Sequence, residues 1–541
     1  MKQAWHEFVR RLDSNIAQNW RIVLFLLIGI SVRVLPVLQA DYPLGEGGLF
    51  YCIIQYIAEQ GTLPRQIPYY SCGLPFAYPP LGLAMYGAAL RYTSLPLFTI
   101  LKWSAPFFSV LSLLAFTLLS ARFLKDLARE LAILSFATMP AVVAHVTASD
   151  SIRNMALFFT LVSLSMLHDA LSQDRPESDL ARNAIAAGLC GGLAILTHPS
   201  IGLGLATVMV LFAAYFIYKQ RTRLVMRVAF LVLGTTILVT GIWFLLLYNL
   251  HGVGFLSLLI NASSSRPYKS IWLLTLLELG ATGEPFADLW AVTGSIGLIY
   301  GFVTGNPLPF LWFLVTPIHW SNQVYAVPLT IGAGLGFGEV IVPAIIQKAG
   351  RLRRVITSLL LVAIVGYTTL GALTFSIRPE TPLVGRLWGS RGMYPQVSDA
   401  RLEAWAWMAN HLPENAQVVL VAEEKEWVPA FAHVCANIPQ GAEWVGKFLY
   451  YGEMYNRLFG TSSPEELFAI LHEYRQPVEY VYLSIKISPY FRTCTANHGG
   501  NPYLLKRSLA EWECTQLLFE NSEVALYDVR ACMATPLRTQ D

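Results

Sequence analysis

Apolar runs long enough to cross a lipid bilayer recur along most of this 541-residue chain, and no other feature of the sequence restricts its fold so severely. A hydrocarbon core of about 30 Å takes ~20 residues of α-helix, and backbone polar groups inside it must be satisfied by the helix itself. After an N-terminal stretch carrying Lys2, Arg10, Arg11 and Arg21, the first run covers 22–39. Further runs lie at 101–121, 131–148, 154–171, 184–198, 200–218, 228–249, 288–304, 307–320, 325–347 and 355–377, about eleven crossings in all. Composition agrees, with 55% hydrophobic and 13% charged residues against about 25% charged in an ordinary soluble domain. No aqueous fold hides that much apolar surface. The first run has no small-residue cleavage site behind it and many runs after it, so it reads as an uncleaved helix rather than a leader.

Local charge sets the expected topology. Arg122/Lys125/Arg129, Lys219/Arg221/Arg223/Arg227 and Lys348/Arg351/Arg353/Arg354 fall between runs, and the positive-inside rule puts all three clusters, with the N-terminus, in the cytoplasm. The stretch 78–92 opens on Tyr78-Pro79-Pro80 and would reverse every later loop if it crossed, so a partial or interfacial helix is expected there. Outside then lie a first loop (40–78), a second at about 250–287, and everything after about 378. The expected organisation is a transmembrane domain over 1–377, which includes the first loop, and an extracytoplasmic domain over 378–541. In that tail, charged residues return and apolar runs shrink to strand length (418–422, 478–485, 524–529) around helical patterns such as 399–411. An α/β domain with its own core follows.

The formal charge of +3 gives no case for a nucleic-acid partner. Six of the seven cysteines (Cys52, Cys72, Cys435, Cys494, Cys514 and Cys532) fall in the outside segments, and Cys190 sits in a span. An oxidising compartment permits disulfides there, with connectivity left open by the spacing.

The first outside loop gathers the residues best suited to chemistry. It reads Asp41-Tyr-Pro-Leu-Gly-Glu46-Gly-Gly-Leu-Phe-Tyr51 and closes on Ala77-Tyr78-Pro79-Pro80-Leu81. Two carboxylates at the mouth of the first span precede an apolar helix pattern (Leu49, Phe50, Ile53, Tyr56, Ile57) that suits a membrane surface. A carboxylate fixed at that boundary can deprotonate an acceptor hydroxyl or amine while a lipid-borne donor approaches from the bilayer. Solvated loop acids or helix caps are the plainer alternative.

The pattern Asp-x-Pro-x-x-Glu-Gly-Gly-x-Phe-Tyr after a first transmembrane helix, with Tyr-Pro-Pro-Leu some thirty residues on, resembles the GT-C glycosyltransferases. More narrowly, it resembles the protein O-mannosyltransferase and aminoarabinose transferase type (glycosyltransferase family 39-like). In topology the resemblance spans roughly the first 350 residues, and its motif content is concentrated in the first loop. It implies a polytopic α-helical GT-C-like membrane protein of the cell envelope. The implied reaction is an inverting-type hexosyl or pentosyl transfer from a polyprenyl-phosphate-linked donor to an extracytoplasmic acceptor, whether glycan, lipid or protein. On the family's pattern Glu46 takes the place of the catalytic Asp, and the usual second acid is Gly47 here, which leaves Asp41 as a rival base.

Other boundary residues join as donor-phosphate and substrate candidates. Arg153, in a turn between two spans, suits a lipid phosphate through charge-assisted contacts, or snorkels at an ordinary turn. His198 in Thr197-His198-Pro199 suits an acceptor or phosphate contact, or ends a helix beside a breaking proline. Arg266 and Lys269 in the second outside loop suit a polyprenyl phosphate or headgroup anchoring, and Tyr78 closes the first loop. Arg33, inside the first run, is a functional candidate or a snorkelling side chain. His319-Trp320 with Tyr325 reads as an interfacial aromatic belt. In the tail, Glu423 to Trp427 and Glu443-Trp444 set acids beside indoles, which suits sugar binding or a solvated acidic face with tryptophan packed beneath.

The division of labour is then a base (Glu46 or Asp41) and a cation facing the departing phosphate (Arg153, Lys269 or Arg266). A phosphate leaving group needs little protonation, so no second carboxylic acid is required. No cofactor is implied, and the outside acids form no dense cluster that would support a divalent cation. The alternative from another class is a transporter or flippase of lipid-linked sugars. Transporters show internal repeats and broken midplane helices, whereas the polar clusters here gather at the outer boundary. A bare membrane anchor would need only one or two spans.

Overall fold

The computed structural model describes residues 2–44, 47–147, 151–172, 177–219, 221–264, 285–315, 322–348, 350–376, 397–487 and 500–534. Helices α1 (Lys2–Leu38), α2 (Gly48–Gln60), α3 (Leu81–Tyr92), α4 (Leu97–Ser120), α5 (Asp126–Thr138) and α6 (Pro140–Thr147) come first. They are followed by α7 (Ser151–Leu171), α8 (Glu177–Thr197), α9 (Pro199–Tyr218), α10 (Thr222–His251) and α11 (Phe255–Ser264). After residue 285 come α12 (Pro285–Val303), α13 (Leu308–Val315), α14 (Asn322–Leu335), α15 (Val342–Lys348) and α16 (Arg353–Ser376).

Eight helical stretches among the described residues are long and apolar enough to cross a membrane: 20–38, 97–120, 151–171, 178–197, 199–218, 222–261, 326–348 and 353–376. The apolar part of α12, Asp288–Val303, is shorter. Three expected crossings are not among these eight. The run 131–148 is two helices, because Met139 turns extended and Pro140, which has no N–H to offer Phe136, starts α6. The run 288–304 is α12. The run 307–320 is α13 as far as Val315, and 316–321, with His319-Trp320, lie outside the described residues. The stretch 78–92 holds α3, whose 12 residues reach only ~18 Å, too short to cross.

The chain divides into two compact units. The first comprises Met1–Gln39, Trp103–Trp243 and Tyr268–Gly392. Its core is mainly apolar, with Leu131, Phe136, Leu161, Phe212 and Trp312 fully buried and Phe116 stacked on Phe136 at 4.2 Å. Its outside is apolar as well, with Phe230 78%, Leu238 76% and Val303 76% exposed, a surface that only lipid suits. Small residues let helices close up where no hydrophobic drive exists. A Cβ on Gly297 of α12 would lie 1.8 Å from the Gly332 carbonyl oxygen of α14.

Arg33 belongs to this unit and does not snorkel. It is 0% exposed, and Nε donates to Ser109 Oγ at 2.9 Å. Its other donors reach the carbonyls of Gly29 (3.0 Å), Ala137 (2.7 Å) and Phe136 (3.2 Å). The last two are orphan acceptors of the turn that α5 loses at Pro140. The guanidinium thus caps a helix broken inside the bundle, at the end where the peptide dipoles favour positive charge.

The second unit comprises Ala40–Lys102, Phe244–Pro267 and Met393–Asp541. Strands β1 (Gln66–Ile67) and β2 (Leu74–Pro75) form a small antiparallel pair in the first loop. In the tail, β3 (Val418–Val421), β4 (Tyr480–Ser484), β5 (Gln516–Glu520) and β6 (Val524–Asp528) form a sheet ordered β3-β4-β6-β5. The β3–β4 pair is parallel and the others antiparallel. β3 at the edge and β4 inside the sheet are both buried at every position, as a sheet covered on both faces requires. Disulfides join Cys72 to Cys435 and Cys514 to Cys532, while Cys52 and Cys190 are free thiols. Cys494 lies outside the described residues.

Candidate functional site

In the second unit the first loop is held from the tail. The Gly47 N–H donates to Glu426 Oε2 at 3.1 Å, and the Tyr70 hydroxyl donates to the Glu426 carbonyl at 2.6 Å. The Ser71 N–H donates to the Ala436 carbonyl and the Ala436 N–H to the Tyr69 carbonyl, next to the Cys72–Cys435 bond. The paired glycines of the motif follow from this approach. Gly47 has φ 150°, and a Cβ on Gly48 would lie 2.1 Å from the Glu426 carbonyl oxygen. Tail backbone fills the space at 48, while at 47 the positive φ and the Trp427 indole, 3.2 Å from where a Cβ would stand, disfavour an acid.

The aromatic half of the motif is packing. Tyr51 sits 4.6 Å from Phe431, which stacks on Phe98, and Trp427 is fully buried beside them. Phe50 lies 5.2 Å from Tyr78, and Tyr78 lies 6.1 Å from Trp444. Tyr78 is half-buried in this aromatic row. Asp41 is exposed, one residue before Tyr42, whose hydroxyl donates to Asp399. That bond to a carboxylate, with partial desolvation and the charges of Asp399 and Asp41, pushes the Tyr42 phenol up to about 12. Glu46, the other candidate base, lies outside the described residues, as do Arg266 and Lys269.

The acids of the tail are neither solvated nor turned toward a sugar. Glu423, Glu424 and Glu426 are 4%, 0% and 5% exposed. Glu423, Glu424 and Glu523 surround the buried Arg401 guanidinium at 3.3, 3.5 and 3.3 Å. Tyr482 donates to Glu424 Oε1 at 2.9 Å and accepts from Trp405 Nε1 at 3.0 Å. Burial lifts the Glu424 carboxyl above its ordinary value against the pull of Arg401. Trp444 is buried beside the half-buried Glu443, whose carboxylate accepts the Gly441 N–H at 3.0 Å.

In the first unit two candidates come together. Arg153 Nε donates to His198 Nε2 at 3.2 Å, which makes Nε2 the acceptor of a neutral ring. Arg153 stands in the first turn of α7 and His198 caps α9 just before Pro199. Two helix N-termini and a guanidinium, all positive ends, therefore meet at one place. A cation in a first turn opposes its own helix dipole, and an anion bound there would relieve that opposition. Among the described residues no three of His, Cys, Asp and Glu come together to hold a metal ion.

No protein-family model matches the chain, and no curated protein does. Solved structures do match. The archaeal oligosaccharyltransferase AglB from Archaeoglobus fulgidus, in complex with an inhibitory peptide and a dolichol-phosphate, aligns with TM-score 0.61 and 14% identity. The match covers 90% of this chain and 72% of that one. ArnT from Cupriavidus metallidurans bound to undecaprenyl phosphate aligns with TM-score 0.58 and 14% identity, covering 96% of this chain and 99% of that one. The arabinofuranosyltransferase AftD from Mycobacteria aligns with TM-score 0.56 and 13% identity over 93% of this chain and 41% of that one. The fold is shared with these three proteins. It matches the expectation drawn from the first-loop pattern. The A. fulgidus protein has also been solved in complex with Zn and sulfate (TM-score 0.53).

Glu426 and Asp399 are the contacts the sequence alone does not reveal. For Glu426 the trace in it is the Gly47-Gly48 pair, a sign that something passes close.

Proposed function

We propose that this protein transfers a sugar from a polyprenyl-phosphate-linked donor to an extracytoplasmic acceptor. The observation that carries the reading is the Arg153–His198 pair at two helix N-termini, in a fold shared with structures that hold dolichol-phosphate and undecaprenyl phosphate. The guanidinium faces the departing phosphate and stabilises the charge that grows on it as the glycosidic bond breaks. Neutral His198 fixes the guanidinium plane. Glu46 or Asp41 takes the proton of the attacking acceptor, and Arg266 and Lys269 of the second loop complete the cationic surround. Tyr78 lines the sugar end. Both disulfides lie in the second unit, which favours placing that unit, with the first loop, on the oxidising side of the membrane.

The test is transfer of radiolabelled sugar from a synthetic polyprenyl-phosphate donor by the purified full chain in liposomes. Glu46→Gln lowers turnover by roughly 10²–10⁴-fold if Glu46 is the base, and Asp41→Asn is the parallel variant. Arg153→Gln lowers kcat with little change in KM, because its contact strengthens in the transition state. Near-wild-type transfer by both carboxylate variants would remove the catalytic assignment. Movement of the lipid-linked sugar between leaflets without any transfer would favour the flippase alternative.

A further inference from the structure

The first unit carries a second polar concentration at the far end of the same helices. α7 runs from Arg153 in its first turn to His168 in its last, and α9 from His198 at its cap to Lys219 just beyond Tyr218. At 1.5 Å per residue the two ends of each helix stand ~20–30 Å apart, close to the thickness of a bilayer core. At that far end a cavity of about 370 Å³ opens, lined by Arg122, His168, Tyr215, Lys219, Arg221 and Asn306 among others. Its size falls in the range of small-ligand pockets, about 300–1,000 Å³.

Three basic side chains, Arg122, Lys219 and Arg221, line the cavity. Arg122 pairs with Asp169 through Nε–Oδ1 at 3.3 Å and Nη2–Oδ2 at 2.9 Å. Arg221 donates to the Leu171 carbonyl at 3.0 Å and lies 5.7 Å over the Phe216 ring. Lys219 lies 5.7 Å over Tyr215. With Asp169 counted, a surplus of two positive charges remains at the cavity wall.

Helix-end chemistry explains part of this, since basic side chains on the last carbonyls of a helix complement its dipole. The positive-inside bias explains why the basic residues sit at this end. Neither explains why the cations border a shared cavity. Side chains that only cap carbonyls or reach for headgroups splay outward singly, whereas here two guanidinium groups are held by Asp169, Leu171 and Phe216 around one space. Pre-held donors give up little freedom when an anion arrives.

We propose that this cavity binds a phosphate group, supplied by the headgroup of an anionic lipid in the leaflet opposite the Arg153–His198 pair or by a soluble phosphate. Arg122, Lys219 and Arg221 supply the charge, and the Asn306 amide supplies a neutral hydrogen bond. Basic pockets between transmembrane helices bind lipid headgroups by this chemistry. The site is independent of sugar transfer and does not need that activity to be tested.

The experiment is native mass spectrometry of the delipidated full chain in neutral detergent, titrated with dioleoylphosphatidylglycerol or dioleoylphosphatidylcholine. The anionic lipid is expected to be retained preferentially. Lys219→Gln is expected to weaken retention about five-fold, the equivalent of the ~1 kcal/mol that a basic residue contributes at a lipid surface. Lys219→Gln together with Arg221→Gln should weaken it further. Lys219 is exposed, so its variant keeps the wild-type Tm even if Arg221→Gln does not fold. Arg353→Gln, in another basic cluster, should leave retention unchanged. A second arm adds inorganic phosphate and follows Tm. A Lys219-dependent shift there, without lipid preference, identifies the occupant as a soluble phosphate. Equal retention of both lipids with no phosphate effect would overturn the proposal, and so would an equal loss in Arg353→Gln.

Discussion

Among the described residues each unit buries one arginine completely, and the two solve the same problem in opposite ways. Arg33 in the helical bundle meets neutral oxygens only, three backbone carbonyls and a serine hydroxyl. Arg401 in the sheet-bearing unit meets three carboxylates as well as the Lys486 carbonyl at 2.7 Å. Burial works against the Arg401 charge, yet Glu424, Glu423 and Glu523 hold its pKa above the ordinary value. The bundle thus uses its guanidinium to repair a break in backbone hydrogen bonding, where acids would add charges that no water can reach. The other unit uses its guanidinium to hold acids that would otherwise repel one another. One device is indifferent to carboxylate titration and the other is coupled to it.

The contrast breaks most visibly at Arg401. Arg401→Met leaves three buried carboxylates without their counter-charge and is expected to destabilise the full chain by about 3–5 kcal/mol. The Tm loss should be larger at pH 8 than at pH 5, since protonation relieves the uncompensated acids, and a loss independent of pH would refute the coupling. Arg33→Met is next in size. It strands the carbonyls of Phe136 and Ala137, at about 1–3 kcal/mol for each buried acceptor left unsatisfied, with the same Tm loss at both pH values. A pH-dependent loss there would mean that the two arginines are not as different as their partners imply.

Glu424→Gln is the smallest change and sharpens the comparison. Because burial raises the Glu424 pKa in the folded state, its contribution is fully present below the unfolded carboxylate value and is lost as pH rises through the folded one. The wild-type Tm measured against Glu424→Gln should therefore fall as pH rises across that window. A flat difference would show that Arg401 fully offsets the burial.

The class of fold was legible because apolar runs need no partner to be recognised. The run 131–148 read as one crossing; it breaks at Pro140, and the group that satisfies the broken end is Arg33, 104 residues before Ala137. A charge in a span reads as functional or snorkelling until such a carbonyl partner is known. Boundary position singled out Arg153 and His198, while their contact depends on two helix starts 45 residues apart meeting in space. Gly47 read as a departure from a catalytic pattern. The cause lies 379 residues away at Glu426, beyond the reach of any local spacing rule. The tail acids were misjudged for the same reason, since three glutamates in four residues look solvated unless a buried arginine is known to collect two of them.

The Cys72–Cys435 bond spans 363 residues of chain, and this has a consequence for biogenesis. Cys72 leaves the ribosome with nearly the whole helical bundle still to be made. At about 5–20 residues per second, its partner follows ~20–70 s later. Throughout that interval the first-loop thiol must stay reduced or in reversible exchange, and it must avoid Cys52, its nearest cysteine in sequence. The covalent closure of the loop over the tail is thus a late checkpoint, passed only by chains whose spans have all been threaded and whose last segment has reached the same side.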